Sequence, residues 1–249
     1  MVINRIVRAL LKQEWATVTI ETLVVLFGVF LGLQANNWNE DRVHRERERQ
    51  LIARMADDFT VIQDSIDTGI EITERSIDGC LIVLEAINIA NDIQPGELPS
   101  EDDLLVASLD CAASFRLYGQ SATLREMISS GELSQLEDTE LRSLLYEFDQ
   151  QYETSSASYQ TNRTEFSAPA IKLIYELIKM DIYPEAESRA EQVLVYGIDT
   201  ERMFREPAIR NTVFSLKNLA DANNAMLRDQ SERVDRIMAV LRPEDASRD

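Results

Sequence analysis

The amino-acid sequence predicts an all-α protein in which one N-terminal transmembrane helix continues into a multi-helix antiparallel bundle. Three observations predict it. Glycine and proline are scarce, at 8 and 6 of 249 residues, which favours long helices over tight turns. A run near the N-terminus has the apolar composition of a membrane helix. Beyond it, apolar residues recur at steps of three and four, and the alternation of a half-buried strand is hard to find.

Residues 1–15 read as a short basic amphipathic segment with Arg5, Arg8 and Lys12. Residues 16–38 are expected to span a lipid bilayer. Positions 23–33 are unbroken apolar, Val18 and Ile20 extend them, and Trp15 and Trp38 bracket them. Amphipathic rings favour the two membrane interfaces, so Trp15, Asn36, Asn37, Trp38 and Asn39 are the candidate membrane-interface residues. As a helix, the stretch between the tryptophans is roughly 34 Å long, enough for a hydrocarbon core of about 30 Å. A cleaved signal peptide fits less well, because Leu33-Gln34-Ala35 lacks the small-x-small pattern of a cleavage site.

Gly28 and Gly32 have the small-xxx-small spacing that lets two helices approach closely. Glu21, Gly28, Gly32 and Ala35 fall near one face at helical spacing, which makes them the candidate helix–helix interface and the chain an expected homo-oligomer. Glu21 is costly within lipid, and its plain reading is an interfacial carboxylate paired with Lys12.

Residues 39–60 read as a charged helical stalk and 61–242 as an acidic helical bundle, with a disordered tail at 243–249. Leu51, Met55, Phe59, Ile62, Ile66 and Ile70 make one helical stripe, which Ile77, Leu81, Leu84 and Ile87 continue toward a turn at Pro95-Gly96. A second helix is predicted over roughly 101–116, with Leu104, Leu105, Ala107, Leu109 and Phe115 apolar. Ser121 is a plausible N-cap for a short helix that Gly131 ends, and Asp138 caps a longer one with Leu141, Leu144, Leu145 and Phe148. Pro169 starts or kinks a helix through Met180. Pro207 suits the first turn of a last helix to about Leu241, whose stripe includes Val213, Leu216, Leu219, Met226, Val234 and Ile237.

Two segments carry a resemblance. Residues 21–40 hold a Glu, an apolar run with a central Gly, then Leu33-Gln34-Ala35-Asn36-Asn37-Trp38-Asn39-Glu40. Residues 122–142 include Ser130-Gly131-Glu132-Leu133, an acidic turn and Glu140-Leu141-Arg142. Together they resemble a bacterial family of single-pass membrane proteins of unknown function. The resemblance covers about a fifth of the chain. It implies an N-terminal anchor and a helical domain, and it brings no activity or catalytic residues.

The two cysteines bear on the compartment. Cys80 and Cys111 flank the turn, and their midpoint falls at Pro95-Gly96. If helices enter and leave that turn as a hairpin, the cysteines meet and can form a disulfide, which persists in the periplasm. Closing a loop of that size contributes roughly 3–4 kcal/mol in the chain-entropy model. Two buried free thiols are the competing reading. Basic residues flank the apolar run on both sides and leave orientation undecided. The cysteines favour a single-pass protein of a bacterial inner membrane, with a cytoplasmic N-terminus and a periplasmic domain.

The formal charge of −19 excludes nucleic acid as a partner class, because phosphate binding needs clustered Lys and Arg. There is one histidine, His44, so a histidine-based triad or histidine-rich metal site has no residues to build it. No cofactor, metal or enzymatic activity is expected. The acidic cluster Glu97, Glu101, Asp102 and Asp103 reads as a solvated helix start. Phe115, Tyr118, Tyr146, Tyr152, Tyr159, Tyr175 and Tyr183 are core aromatics or the lining of a pocket. The expected function is a membrane-anchored interaction or scaffold module, self-associating through its first helix and facing an unidentified membrane or periplasmic protein. The alternative is a periplasmic ligand-sensing domain that acts through a partner membrane protein.

Overall fold

The structure, a computed structural model, describes residues 15–115, 119–182 and 193–242. The expected basic segment at the N-terminus, the Lys12 partner of Glu21 and the tail lie outside the described residues. Contacts divide the chain into two units, Met1–Ala53 and Arg54–Asp249.

Helix α1 runs over Trp15–Ala90. Its first part corrects the transmembrane expectation: among the described residues, no helix is long and apolar enough to cross a membrane. The unbroken apolar run at 23–33 gives roughly 16 Å of helix, about half a hydrocarbon core. Polar residues follow at once, at Gln34, Asn36, Asn37, Asn39 and Glu40.

In the second unit α1 buries Met55, Phe59, Ile62 and Ile66 as expected. The same stripe continues through Gly69, Thr73, Ser76, Cys80, Val83 and Ile87; of the expected continuation Ile87 is buried and Leu84 packs on the core, while Leu81 is 47% exposed. The spacing of the stripe is unchanged, but beyond Ile66 small residues, Gly69, Thr73, Ser76 and Cys80, face the core. Asp92, at φ 55°, ends α1 in a left-handed turn, with the Ile93 N–H donating to the Asn88 carbonyl at 2.8 Å. Helix α2, Glu101–Cys111, starts at Ser100, whose hydroxyl oxygen accepts from the Asp103 N–H at 3.1 Å.

Helix α3 covers Ala122–Ser130, capped by Ser121 and closed by Gly131 at φ 79°. The Ser121 hydroxyl accepts from the Leu124 N–H and donates to Asp58 of α1 at 2.8 Å, so the cap also docks α3. Asp58 also accepts from the Thr123 N–H at 3.0 Å. Partial burial alone raises its pKa, but these bonds outweigh burial and hold the carboxyl below its usual value.

Helix α4, Thr139–Asn162, starts at Asp138, which accepts from the Glu140 and Leu141 N–H groups. It passes into a π-helical turn at Arg163–Ser167 and then α5, Ala168–Tyr175, with Pro169 in its first turn. Two strands correct the all-α expectation and the helix drawn through Met180. β1 (Ile178–Ile182) pairs antiparallel with β2 (Val193–Ile198), and the register shifts between Lys179 and Met180, where Tyr196 of β2 is left unpaired. Ile178, Met180 and Ile182 alternate with Lys179 and Asp181, a strand pattern only five residues long. Leu177, Ile178 and Ile198 are buried, which ties the hairpin to the helices. Glu101 of α2 adds a bond, accepting from the Ile198 N–H at 3.4 Å.

Helix α6, Thr200–Arg205, leads into α7, Pro207–Leu241. Polar pairs set the direction of α7. Asp57 meets Arg242, Gln63 meets Ser231, and Thr73 meets Asn224, so rising numbers in α1 pair with falling numbers in α7. Along α4, Glu147 pairs with Arg233 and Ser155 with Gln230, again antiparallel. Phe59 of α1 and Phe148 of α4 meet edge to face at 5.0 Å between centroids.

Gly79 is where α1 and α2 approach most tightly. A Cβ there would lie 2.5 Å from the Ala107 carbonyl oxygen and 2.8 Å from the Cys111 nitrogen. Gly79→Ala is expected to force these helices apart and cost about 1–3 kcal/mol, a typical overpacking loss. Chemical denaturation checks it; an unchanged midpoint contradicts the close approach.

Candidate functional site

Of the sequence-nominated residues, the apolar part of α1 is exposed. Val24, Val25, Phe27, Phe30 and Leu31 are each more than half exposed. Gly28 and Gly32 have nothing within 4 Å of the position a Cβ would take. Ala35, Asn36, Asn37, Trp38 and Asn39 are exposed, and the Asn36 amide donates to Glu40 at 2.7 Å. The side chains of Trp15 and Glu21 lie outside the described ones. His44 is exposed. Among the described residues, no group of His, Cys, Asp or Glu is placed to hold a metal ion.

Cys80 and Cys111 form a disulfide with an S–S distance of 2.01 Å and a Cα–Cα distance of 4.5 Å. Beside it, the Ser76 hydroxyl donates to the Cys111 carbonyl at 3.1 Å. This junction is one wall of a cavity of about 460 Å³. Five parts of the chain build it. Thr73 and Ser76 come from α1, and Ser114 and Phe115 from the segment after α2. Tyr159, Arg163 and Ser167 come from the end of α4 and the π-helical turn. Ile171, Lys172 and Tyr175 come from α5, and Leu216, Leu219, Ala220 and Asn223 from α7.

The inner polar groups are satisfied by the protein. The Thr73 hydroxyl donates to the Gly69 and Ile70 carbonyls and accepts from Asn224. The Tyr159 hydroxyl donates to the Phe115 carbonyl, and the two rings lie 4.9 Å apart. Burial raises the Tyr159 pKa, and the nearby Arg163 guanidinium lowers it by less. In the π-helical turn the Ala168 N–H donates to the Arg163 carbonyl, five residues back, and such turns recur at functional sites.

Of the nominated aromatics, Phe115, Tyr159 and Tyr175 meet at this cavity. Tyr146 is exposed and Tyr152 stacks on Phe148 instead. Tyr118 and Tyr183 lie outside the described residues. Sequence reasoning missed Arg163 and Lys172, the two cations of the cavity. Only their nearness to Tyr159 and Tyr175, at steps of four and three, gave a signal. The acidic cluster is absorbed structurally: Asp103 bonds Ser100, and Glu101 reaches Lys179 and β2. No family model, curated protein or solved structure matches the chain.

Tyr159→Phe removes the donor to a buried carbonyl and is expected to destabilise by about 1–2 kcal/mol at neutral pH. Because the folded-state pKa is raised, the phenol's contribution is full below about pH 10, the unfolded value, and is lost as pH rises through the folded one. Denaturation of both proteins at neutral and alkaline pH checks this; a constant gap across that range contradicts it.

Proposed function

We propose that the chain is a helical interaction module that self-associates through the exposed apolar stretch of α1. The observation that carries this reading is exposure on every side: Ile20, Val24, Val25, Leu26 and Phe27 are each at least 59% exposed, and successive helical positions point about 100° apart. A helix that is apolar all round is normally covered. Gly28 and Gly32, one turn apart with open space above them, suit close approach by a second copy. Glu21 and Ala35 fall on the same face in sequence spacing. The Cys80–Cys111 disulfide supports folding in an oxidising compartment such as a bacterial periplasm. A formal charge of −19 keeps the rest of the chain soluble and disfavours phosphate-rich partners.

Sedimentation equilibrium in non-ionic detergent tests the reading. The full chain is expected to form a defined oligomer, and Gly28→Leu with Gly32→Leu to shift it toward monomer with an unchanged circular dichroism spectrum. A monomeric wild-type chain, or an oligomer indifferent to both substitutions, contradicts it.

A further inference from the structure

We propose that the cavity between α1, α4, α5 and α7 binds a small organic anion, a carboxylate carried on an apolar body. More than one residue in six of this chain is acidic, yet no Asp or Glu is among the described residues lining the cavity. Arg163 and Lys172 do line it, and among the described residues neither is in an ion pair. Some other arginines are matched with carboxylates, as Arg202 is with Glu206 and Arg233 with Asp229, while Arg142 donates to backbone carbonyls instead. Arg163 also bonds the Tyr159 phenol, so two cations stand at a cavity whose described lining holds no carboxylate.

The interior sets the rest of the ligand. Phe115 and Ala220 are buried and apolar, and the Thr73, Ser76 and Tyr159 hydroxyls already have protein partners. A ligand's inner part therefore gains nothing from polar groups, and its charge belongs beside the exposed Arg163 and Lys172. At about 460 Å³ the cavity falls in the size range of small-molecule sites. Every lining residue lies in the unit Arg54–Asp249, so this site and self-association through residues 20–35 stand or fall separately.

Titration calorimetry of the full, disulfide-bonded chain tests it, with decanoate as the probe and 1-decanol as its uncharged match. Decanoate is expected to bind saturably, one per chain. Arg163→Gln with Lys172→Gln should weaken decanoate about tenfold or more and leave decanol unchanged. Ala220→Phe, which fills the cavity, should abolish binding of both; if it fails to fold, the double substitution on the exposed side chains decides. No saturable decanoate binding, or binding indifferent to the double substitution, overturns the proposal. Inorganic phosphate competing as well as decanoate overturns the apolar-body half of it.

Discussion

The junction of α1 with α2 carries the second unit. Gly79 lets the Ala107 carbonyl come within the space of a missing side chain, and the adjacent Cys80 is bonded to Cys111. The segment after α2 and the end of α4 are placed from there, while α3 and α7 also meet α1 directly. The Cys111 carbonyl takes the Ser76 hydroxyl, the chain leaves α2 toward Phe115, and the Phe115 carbonyl takes the Tyr159 hydroxyl of α4. A short covalent and hydrogen-bonded path therefore runs from α1 to the π-helical turn that holds Arg163. A cross-link of this kind acts mainly on the unfolded chain, whose freedom it restricts. The close packing at Gly79 acts on the folded one.

Charge is distributed with a similar economy. Carboxylates in this chain are spent on local tasks: Asp138 caps α4, Asp58 docks α3, and Glu147 meets Arg233 of α7. Exposed pairs of this sort add little stability individually, but together they fix the antiparallel register of α1 and α4 on α7. An exposed run of apolar residues lies along the first part of α1, and two cations stand at the cavity. These are the two places where function is proposed.

Much of the fold was legible because helix ends are local chemistry. Ser121, Asp138, Gly131 and Pro207 stand where caps and first turns occur, and each needs only a few neighbouring residues to be recognised. The stripe of α1 was legible through Ile66 and again at Ile87, and was misplaced between them, where Thr73 and Ser76 stand in place of large apolar residues on the buried face. The hairpin was missed because the alternation of β1 is only five residues long and follows almost directly on α5. The transmembrane expectation relied on flanking tryptophans to lengthen an apolar run that is itself too short. The cavity was only partly legible. Its aromatics were nominated by type, but its cations come into register only when α4, α5 and α7 pack.

The most direct test is to count free thiols. The chain is unfolded in denaturant without reductant, alkylated, and weighed by intact mass spectrometry, then treated again after reduction. No adduct before reduction and two after it are expected, since both cysteines of the chain are in one bond. Two adducts before reduction would show that α1 and α2 are not joined, and would contradict the path drawn from Cys80 to Tyr159.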